Sequence, residues 1–152
     1  MIQITQAQLN TVVATCSRNK QLTGNVYYLW TMTHKLTKQN WKFIPYLLPA
    51  TGAIGYEPSY DQFQIDVDSS SAQVYIATGT TTPVNLHLIP GQYYVKIYEQ
   101  ASPTNLNPLT AFDVVYEGMA NIIGTNPVYN DIVSYTGNSS SQIFKVYQGW
   151  LT

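Results

Sequence analysis

The sequence predicts an all-β protein, an antiparallel β-sandwich with a β-hairpin appended at its C-terminal end. Apolar and polar residues alternate with a period of two in most segments, which is the period of a half-buried strand. Clusters of Gly, Pro, Asn and Ser separate these segments at short intervals, and no segment shows helical spacing over a helical length. Many short strands divided by such turn clusters are typical of a sandwich or a barrel.

The first half of the chain contains five predicted strands. Pro45 falls inside the fourth of them, and a proline indicates an edge strand or the end of a strand because it lacks the amide hydrogen. Pro49, Gly52, Gly55 and Pro58 then indicate a loop. The five predicted strands are residues 2–5, 9–16, 25–33, 40–46 and 62–67.

The second half contains the clearest strand, residues 92–100, which follows a Pro90-Gly91 turn. Its alternation predicts an inward face of Tyr93, Val95 and Ile97. The outward face is predicted to carry Tyr94, Lys96 and Tyr98. Further strands are predicted at residues 74–76, 84–88, 112–123, 129–135 and 142–147.

The chain divides into a predicted sandwich domain, residues 1–124, and a hairpin extension, residues 125–152. The last two predicted strands flank a Gly-Asn-Ser-Ser-Ser turn at residues 137–141. A hairpin is only marginally stable alone. We therefore expect it to pack on its own sandwich or on a neighbouring subunit.

The composition argues against several classes of partner. Charged residues make up 10 % of the chain, and the net charge is −1. Seven scattered Lys and Arg residues provide no basic surface for nucleic acid. No apolar run approaches the roughly 20 residues that span a membrane, and the N-terminus lacks the pattern of a secretory signal. We expect a protein made in a cytosol that works packed among other subunits, without nucleic acid or membrane as partners.

The aromatic residues indicate protein interfaces. The chain has thirteen tyrosines and three tryptophans, and such rings are favoured where one end is buried and the other stays wet. Core packing is the alternative for most of them, and a flat sugar-binding platform of Trp41, Tyr94 and Tyr98 is another. The residues predicted to lie in interfaces are Ile2, Ile4, Trp41, Tyr94, Tyr98, Tyr129, Tyr135, Tyr147 and Trp150.

No constellation of residues predicts an enzyme. His34 and His87 lack a second metal ligand at a usable spacing, so surface or packing roles are expected. Cys16 is the only cysteine, which excludes an intrachain disulfide, and its apolar surroundings predict a buried structural thiol. We expect no catalytic residues, no cofactor and no metal.

The acidic residues Asp61, Asp66 and Asp68 are the nearest approach to a site. Two of them precede Ser69-Ser70-Ser71 at the end of a predicted strand, where carboxylates and hydroxyls could offer oxygen ligands to a hard cation. The segment lacks the glycine and the distal glutamate of a dedicated calcium loop. A turn in which Asp and Ser bind backbone groups is the favoured interpretation.

Two stretches resemble a known family. Residues 2–13 are similar to an I-T-I-T-x-G-Q-x-N-T-V-V pattern, with Ala7 where the family often has glycine. Residues 91–100 and 102–108 are similar to a G-x-Y-x-Y-x-V-Y-E-Q…S-T-N-L-x-P pattern, and residues 27–29 and 41–44 fall on similar aromatic strands. Over residues 1–124, the chain resembles the small Ig-like β-sandwich virion proteins of tailed phages that infect Bacteroidetes, including the crAss-like phages.

This resemblance implies an Ig-like sandwich and a place in a virion assembled in the bacterial host. It implies an auxiliary or decoration protein on the capsid, with the major capsid protein and other virion subunits as partners. A tail or baseplate position is the alternative within the same family. A carbohydrate-binding adhesion module remains a rival, and self-association is compatible with each of these functions. The family brings no catalytic residues.

Overall fold

Two β-sheets account for most of the regular structure. The computed structural model describes residues 1–49 and 60–125, together with the backbone of two later strands. No α-helix occurs in this part of the chain, so the prediction of an all-β protein is confirmed. The elements are β1 (Ile2–Thr5), β2 (Leu9–Ala14), β3 (Tyr27–His34), β4 (Asn40–Phe43), β5 (Tyr46–Leu47), β6 (Asp61–Asp66), β7 (Val84–Asn85), β8 (Gly91–Gln100), a 3-10 turn η1 (Pro108–Thr110), β9 (Asp113–Ile123), β10 (Ile132–Tyr135) and β11 (Phe144–Tyr147).

The two sheets face each other as the layers of a sandwich. One has five strands in the order β1-β9-β8-β3-β4, and the other has the order β2-β6-β5 with β7 also paired to β6. Strands β1 and β2 follow one another in sequence but belong to different sheets. Strand β1 pairs in parallel with β9, so the first strand lies beside the last strand of the sandwich.

The core between the sheets is built on aromatic rings. Trp30 on β3 is fully buried. Its ring lies 5.1 Å from that of Phe63 on β6 in the opposite sheet, and 5.9 Å from that of Phe43 on the neighbouring strand β4. The contact with Phe63 is edge-to-face, and such a contact adds to the stabilisation that burial of apolar area provides. Trp30 therefore joins the two sheets near the centre of the sandwich.

The alternation predicted for residues 92–100 is confirmed in β8. Tyr93, Val95 and Ile97 are buried, whereas Tyr94 is 49 % exposed and Lys96 is exposed. A register shift in the pairing with β9 follows Ile97. Consecutive residues of β9 at this bulge, Val115 and Tyr116, both contribute to the core.

Strand boundaries depart from the prediction where the chain changes sheet. The predicted strand at residues 40–46 is divided at Pro45, with β4 before it in one sheet and β5 after it in the other. The proline thus marks a strand end, as expected. Residues 74–76 form only isolated bridges, among them Ile44 with Ile76, and β7 is two residues long.

The C-terminal segment contains the predicted hairpin strands. Strands β10 and β11 pair antiparallel, with Ile132 opposite Tyr147 and Tyr135 opposite Phe144. Only the backbone of these strands is described. The domain boundary after residue 124 stays a prediction.

The link between β1 and β2 transfers the chain from one sheet to the other. Ala7 adopts a left-handed backbone conformation, with φ of 56°, and its amide donates to the carbonyl of Val67. The buried Asn10 side chain accepts a hydrogen bond from the amide of Thr5 at 2.8 Å and donates one to the carbonyl of Thr5 at 2.9 Å. Asn10 on β2 therefore binds the end of β1 in the other sheet.

We expect the substitution Ala7→Gly to stabilise the protein. A left-handed conformation costs an L-residue with a Cβ roughly 1–2 kcal/mol, and the greater freedom of glycine in the unfolded chain offsets part of this gain. The net increase in the free energy of unfolding should be about 0.5–1 kcal/mol in urea denaturation. Ala14→Gly, in an extended and buried position of β2, is the control and should destabilise. A loss of stability in Ala7→Gly would contradict this account of the turn.

The buried Tyr93 predicts a loss of stability at alkaline pH. Burial raises the pKa of its hydroxyl to about 12 from an ordinary value of 10.0, and the protonated hydroxyl donates a hydrogen bond to the Ile89 carbonyl at 2.8 Å. In the unfolded chain the hydroxyl ionises near pH 10, whereas in the folded protein it stays protonated up to about pH 12. Ionisation therefore stabilises the unfolded state between these two values. The free energy of unfolding should fall by about 2 kcal/mol over this range because of this group.

The substitution Tyr93→Phe should weaken this alkaline decline. The hydrogen bond to Ile89 is lost, so the variant should be about 1 kcal/mol less stable at pH 7, while its stability should fall less steeply above pH 10. Urea denaturation across this pH range measures both effects. Tyr94→Phe, which removes an exposed hydroxyl from the next residue, should behave as the wild type. Equal slopes for wild type and Tyr93→Phe would refute the assignment.

Candidate functional site

The loop between β8 and β9, residues 101–112, is organised by its own side chains. Gln100, at the end of β8, is 3 % exposed. Its amide nitrogen donates to the carbonyls of Ser102 and Asn105, at 2.8 and 2.9 Å. A side chain that binds two successive parts of a loop fixes the loop against the sheet, because each buried donor must keep its acceptor.

Two asparagines continue this network. The side-chain nitrogen of Asn105 donates to the Thr110 hydroxyl at 2.8 Å and to the side-chain oxygen of Gln100 at 3.3 Å. The side-chain oxygen of Asn105 accepts from the Asn107 amide at 3.0 Å. The side-chain oxygen of Asn107 accepts from the Leu109 amide at 3.1 Å, which caps the 3-10 turn η1. The polar side chains of Gln100, Asn105 and Asn107 therefore shape the loop.

The loop presents apolar side chains to solvent. Leu109 is 91 % exposed and Phe112 is 59 % exposed. The Phe112 amide donates to the carbonyl of Glu99 at 2.9 Å, which holds this residue at the start of β9. Scattered surface apolar residues are ordinary, but here a hydrogen-bonded loop presents two within four positions. We refer to Leu109 and Phe112 as the apolar tip.

A buried carboxylate holds the link between β2 and β3. Glu99 has no exposed surface. Its carboxylate accepts hydrogen bonds from the amide of Gln21, at 2.9 and 3.0 Å, and from the amide of Leu22 at 3.0 Å. Main-chain donors from a distant part of the chain thus replace the water that a carboxylate requires. This arrangement gives Glu99 a structural role.

Asp61 holds the beginning of the same link. Its carboxylate accepts hydrogen bonds from the amides of Cys16 and Ser17, at 2.8 and 2.7 Å, and from the Ser17 hydroxyl. Cys16 is fully buried, as predicted. Burial raises the pKa of its thiol, and the neighbouring Asp61 charge raises it further. The thiol therefore stays protonated, and it does not form the thiolate that a nucleophile requires.

The three aspartates predicted as a possible cation site do not form one. Asp61 and Asp66 lie at opposite ends of β6, opposite Ala14 and Leu9 of β2. Asp68 accepts hydrogen bonds from the Ser70 amide and hydroxyl, each at 2.8 Å. These hydrogen bonds lower the pKa of the Asp68 carboxyl, and the bond from the Ser70 amide has the larger effect. The turn interpretation is confirmed, and no group of three metal-binding side chains occurs among the described residues.

The histidines have packing and hydrogen-bonding roles. His34 is buried, and its ring contacts that of Tyr93 at 4.9 Å between centroids. Its Nδ1 lies 3.1 Å from the Thr37 amide. Gly91 has φ of 138°, and a Cβ at this position would lie 2.6 Å from the His34 Nε2 atom. The histidine fits because residue 91 is glycine. His87 contacts the Ser71 carbonyl at 2.7 Å.

The structure separates the predicted interface residues into groups. Ile2, Ile4 and Trp41 lie in the core of the sandwich, with 7 %, 0 % and 6 % exposure, so their side chains are not on the surface of this chain. Tyr94 is exposed and Tyr98 is half-buried on the outer face of the five-stranded sheet. The side chains of the other four lie outside the described part: Tyr129, Tyr135, Tyr147 and Trp150.

The sugar platform of three rings is wrong as a geometric prediction. Trp41 faces the core, where its ring contacts that of Tyr93 at 5.6 Å. Tyr94 and Tyr98 point to the opposite face of the same sheet. The alternation of residues 40–43 already indicated that Trp41 is buried. Trp41 and Phe43 lie on one face of the strand, and Lys42 lies on the other.

A cavity of about 330 Å³ lies at the end of the sandwich that carries the apolar tip. Tyrosines and prolines form much of its wall, and its volume is near the lower limit for small-molecule sites. The residues lining it include Tyr27, Tyr28, Pro45, Tyr46 and Pro103. A cavity of this size with aromatic walls can accommodate a sugar or another small ligand.

The sequence signals for the apolar tip were incomplete. The Ser-Pro-Thr-Asn composition of residues 101–108 predicted a loop, and this is confirmed. Leu109 and Phe112 gave no signal of their own, because exposure of a leucine beyond a loop depends on which strands the loop connects.

Among the described residues no helix has the length and apolar character that crossing a membrane requires. Comparison with known proteins gave no match to a protein-family model, to a curated protein or to a solved structure.

We expect Glu99→Gln to destabilise the protein strongly. The variant replaces one acceptor oxygen by an amide group, which then faces the main-chain donors of residues 21 and 22. The free energy of unfolding should fall by about 3 kcal/mol, because buried donors lose a charged acceptor. Urea denaturation measures this change.

Glu117→Gln is the matched control for Glu99→Gln. Glu117 forms an exposed ion pair with Lys96 at 2.6 Å, and exposed pairs contribute little to stability. The midpoint of its unfolding should stay close to that of the wild type. If the two variants lost stability equally, the buried carboxylate would not have the structural role assigned to it.

Proposed function

We propose that this chain is a structural protein of a tailed-phage virion, an auxiliary or decoration protein bound to the major capsid protein. The observation that carries the proposal is the apolar tip, in which Leu109 and Phe112 project from a loop that is hydrogen-bonded through Gln100 and Asn105. A rigid loop loses little entropy when it docks, which favours binding. Assembly on another protein is the use that best suits such a surface.

The strand order supports the Ig-like interpretation. One sheet has the order β2-β6-β5, and the other contains β9-β8-β3-β4. These orders correspond to strands B-E-D and G-F-C-C′ of immunoglobulin domains. The resemblance of residues 91–108 to phage virion proteins falls on β8 and the loop behind the apolar tip.

The surface chemistry supports an assembly role over catalysis. The charged fraction is 10 %, and the described Cys, His and buried acidic side chains are engaged in hydrogen bonds or packing. Glu99 and Asp61 bind main-chain amides, and the Cys16 thiol is buried. A subunit held by lateral contacts needs shape and apolar area, and these features supply both.

Binding to particles tests the proposal. Purified protein should co-sediment with heads of the source phage that lack this chain. The double substitution Leu109→Ser and Phe112→Ser should weaken the binding at least about tenfold, because it removes two apolar anchors. Leu36→Ser, in the turn at the other end of β3, is the control, since Leu36 is 87 % exposed, and it should bind as the wild type.

Three other outcomes separate the alternatives. Binding to tails or baseplates but not to heads would replace the decoration role by a tail or baseplate role. No binding to any part of the particle would overturn the virion proposal. Retention on a glycan array that Tyr27→Ala abolishes would instead support an adhesion module that uses the cavity beside Tyr46 and Pro103.

A further inference from the structure

Strand β2 has an open edge whose backbone groups can be assigned. The Leu48 amide donates to the carbonyl of Gln62 at 2.8 Å, so the backbone groups of Gln62 point towards β5. Hydrogen bonding alternates along a strand, and Phe63 and Ile65 therefore bond to β2, where they pair with Val12 and Asn10.

It follows that alternate residues of β2, namely Leu9, Thr11 and Val13, direct their amides and carbonyls away from β6. No turn, loop or side-chain hydrogen bond of the described residues reaches these groups. The side chains of Leu9 and Val13 are 47 % and 49 % exposed, and Thr11 is exposed between them. Charged residues and prolines usually protect an edge strand from pairing with another strand. Strand β2 contains neither.

The other edges of the two sandwich sheets are protected in the described part of the chain. Strand β4 carries the charged residue Lys42. Just beyond this strand, the Ile44 amide donates to the Tyr75 carbonyl at 2.8 Å, and the Ile44 carbonyl accepts from the Ala77 amide at 2.9 Å. Strand β5 has two residues and lies between Pro45 and Pro49. Strand β1 has four residues, and the side chain of Asn10 binds its end. Among the described residues of the two sandwich sheets, strand β2 is the edge on which another strand can add.

We infer that two copies of this chain associate through β2, with the two β2 strands antiparallel about a twofold axis at Thr11. In this register Leu9 of each copy pairs with Val13 of the other, and the two Thr11 residues pair with each other. Each of these pairs exchanges two backbone hydrogen bonds. The side-chain pairs are apolar with apolar and hydroxyl with hydroxyl, which are stabilising cross-strand combinations.

Neighbouring registers fit less well. A shift by two residues in one direction brings in Ala7, whose left-handed backbone leaves the extended conformation. A shift by two in the other direction brings in Thr15, which lies beyond the end of β2. Pairing about Thr11 is the register in which all three pairs stay within the strand.

The charges near β2 favour an antiparallel partner. Asp66 lies opposite Leu9 at the start of the strand, with Asp68 nearby. Arg18 and Lys20 follow the end of the strand, where the buried carboxylate of Asp61 binds main-chain amides. Antiparallel pairing brings the acidic end of one copy towards the basic end of the other. The net charge of −1 adds little general repulsion.

This contact is small. A six-residue strand buries less than the roughly 1,200 Å² of stable complexes, so the dimer should be weak in dilute solution. It becomes populated where copies are concentrated on one surface. The inference does not depend on a virion as that surface, because the full chain alone in solution tests it.

Disulfide cross-linking tests the register. Residues that face each other in a hydrogen-bonded antiparallel pair have Cα atoms about 5.5 Å apart, which a disulfide can bridge. Under mild oxidation Thr11→Cys should form covalent dimers. Leu9→Cys should not, because each Leu9 faces Val13, but a mixture of Leu9→Cys and Val13→Cys should form mixed dimers. The buried Cys16 of the wild type is the background control.

Sedimentation velocity tests the association itself. The wild-type chain should show concentration-dependent dimers, and Val13→Lys should lower the association constant at least about tenfold, because a charged residue blocks an edge. Tyr94→Lys is the matched control, since Tyr94 is also 49 % exposed but lies on the other sheet, and it should dimerise as the wild type. Unfolding midpoints of all variants verify that they are folded.

Two results would overturn the inference. One is equal cross-linking of Thr11→Cys and Leu9→Cys, which would indicate random collision. The other is a monomer at all concentrations in which the amides of residues 9, 11 and 13 resist hydrogen exchange. In that case a segment of the same chain covers β2, and the edge is not open to a second copy.

Discussion

The architecture depends on the transfer of the chain between sheets after β1. Three residues separate β1 from β2, and the left-handed Ala7 turns the chain within them. The Asn10 side chain then binds both backbone groups of Thr5. Because β1 closes the edge of β9, one side of β2 has no neighbouring strand among the described residues. One turn thus decides which sheet edge is covered and which is open.

The sequence predicted the faces of the strands well where one face is core. In β8 the alternation identified the buried Tyr93, Val95 and Ile97, because burial of one face imposes the period of two. The same rule would have placed Trp41 in the core with Phe43, but its ring was assigned to the surface from residue type alone. Periodicity was the better guide than the usual preference of tryptophan for interfaces.

The buried polar residues could not be predicted from sequence. Glu99 and Asp61 bind amides that lie 78 and 45 positions away along the chain, and no local pattern indicates such partners. Gln100 and Asn105 lie only five positions apart, yet their common role in shaping one loop could be recognised only in the structure. The apolar tip follows from that role, since polar side chains turned inward leave Leu109 and Phe112 outward.

The parallel pairing of β1 with β9 has a mechanical consequence. The pairs extend from Ile2 with Ala120 to Thr5 with Ile123, so residue 1 and residue 124 leave the ladder at opposite ends. A force that draws these two points apart acts along the strands and loads the hydrogen bonds of the ladder in shear, all at once. A force perpendicular to the strands would instead break these hydrogen bonds one after another. A sandwich joined in this way should resist a force applied between these two points better than one in which the terminal strands pair antiparallel.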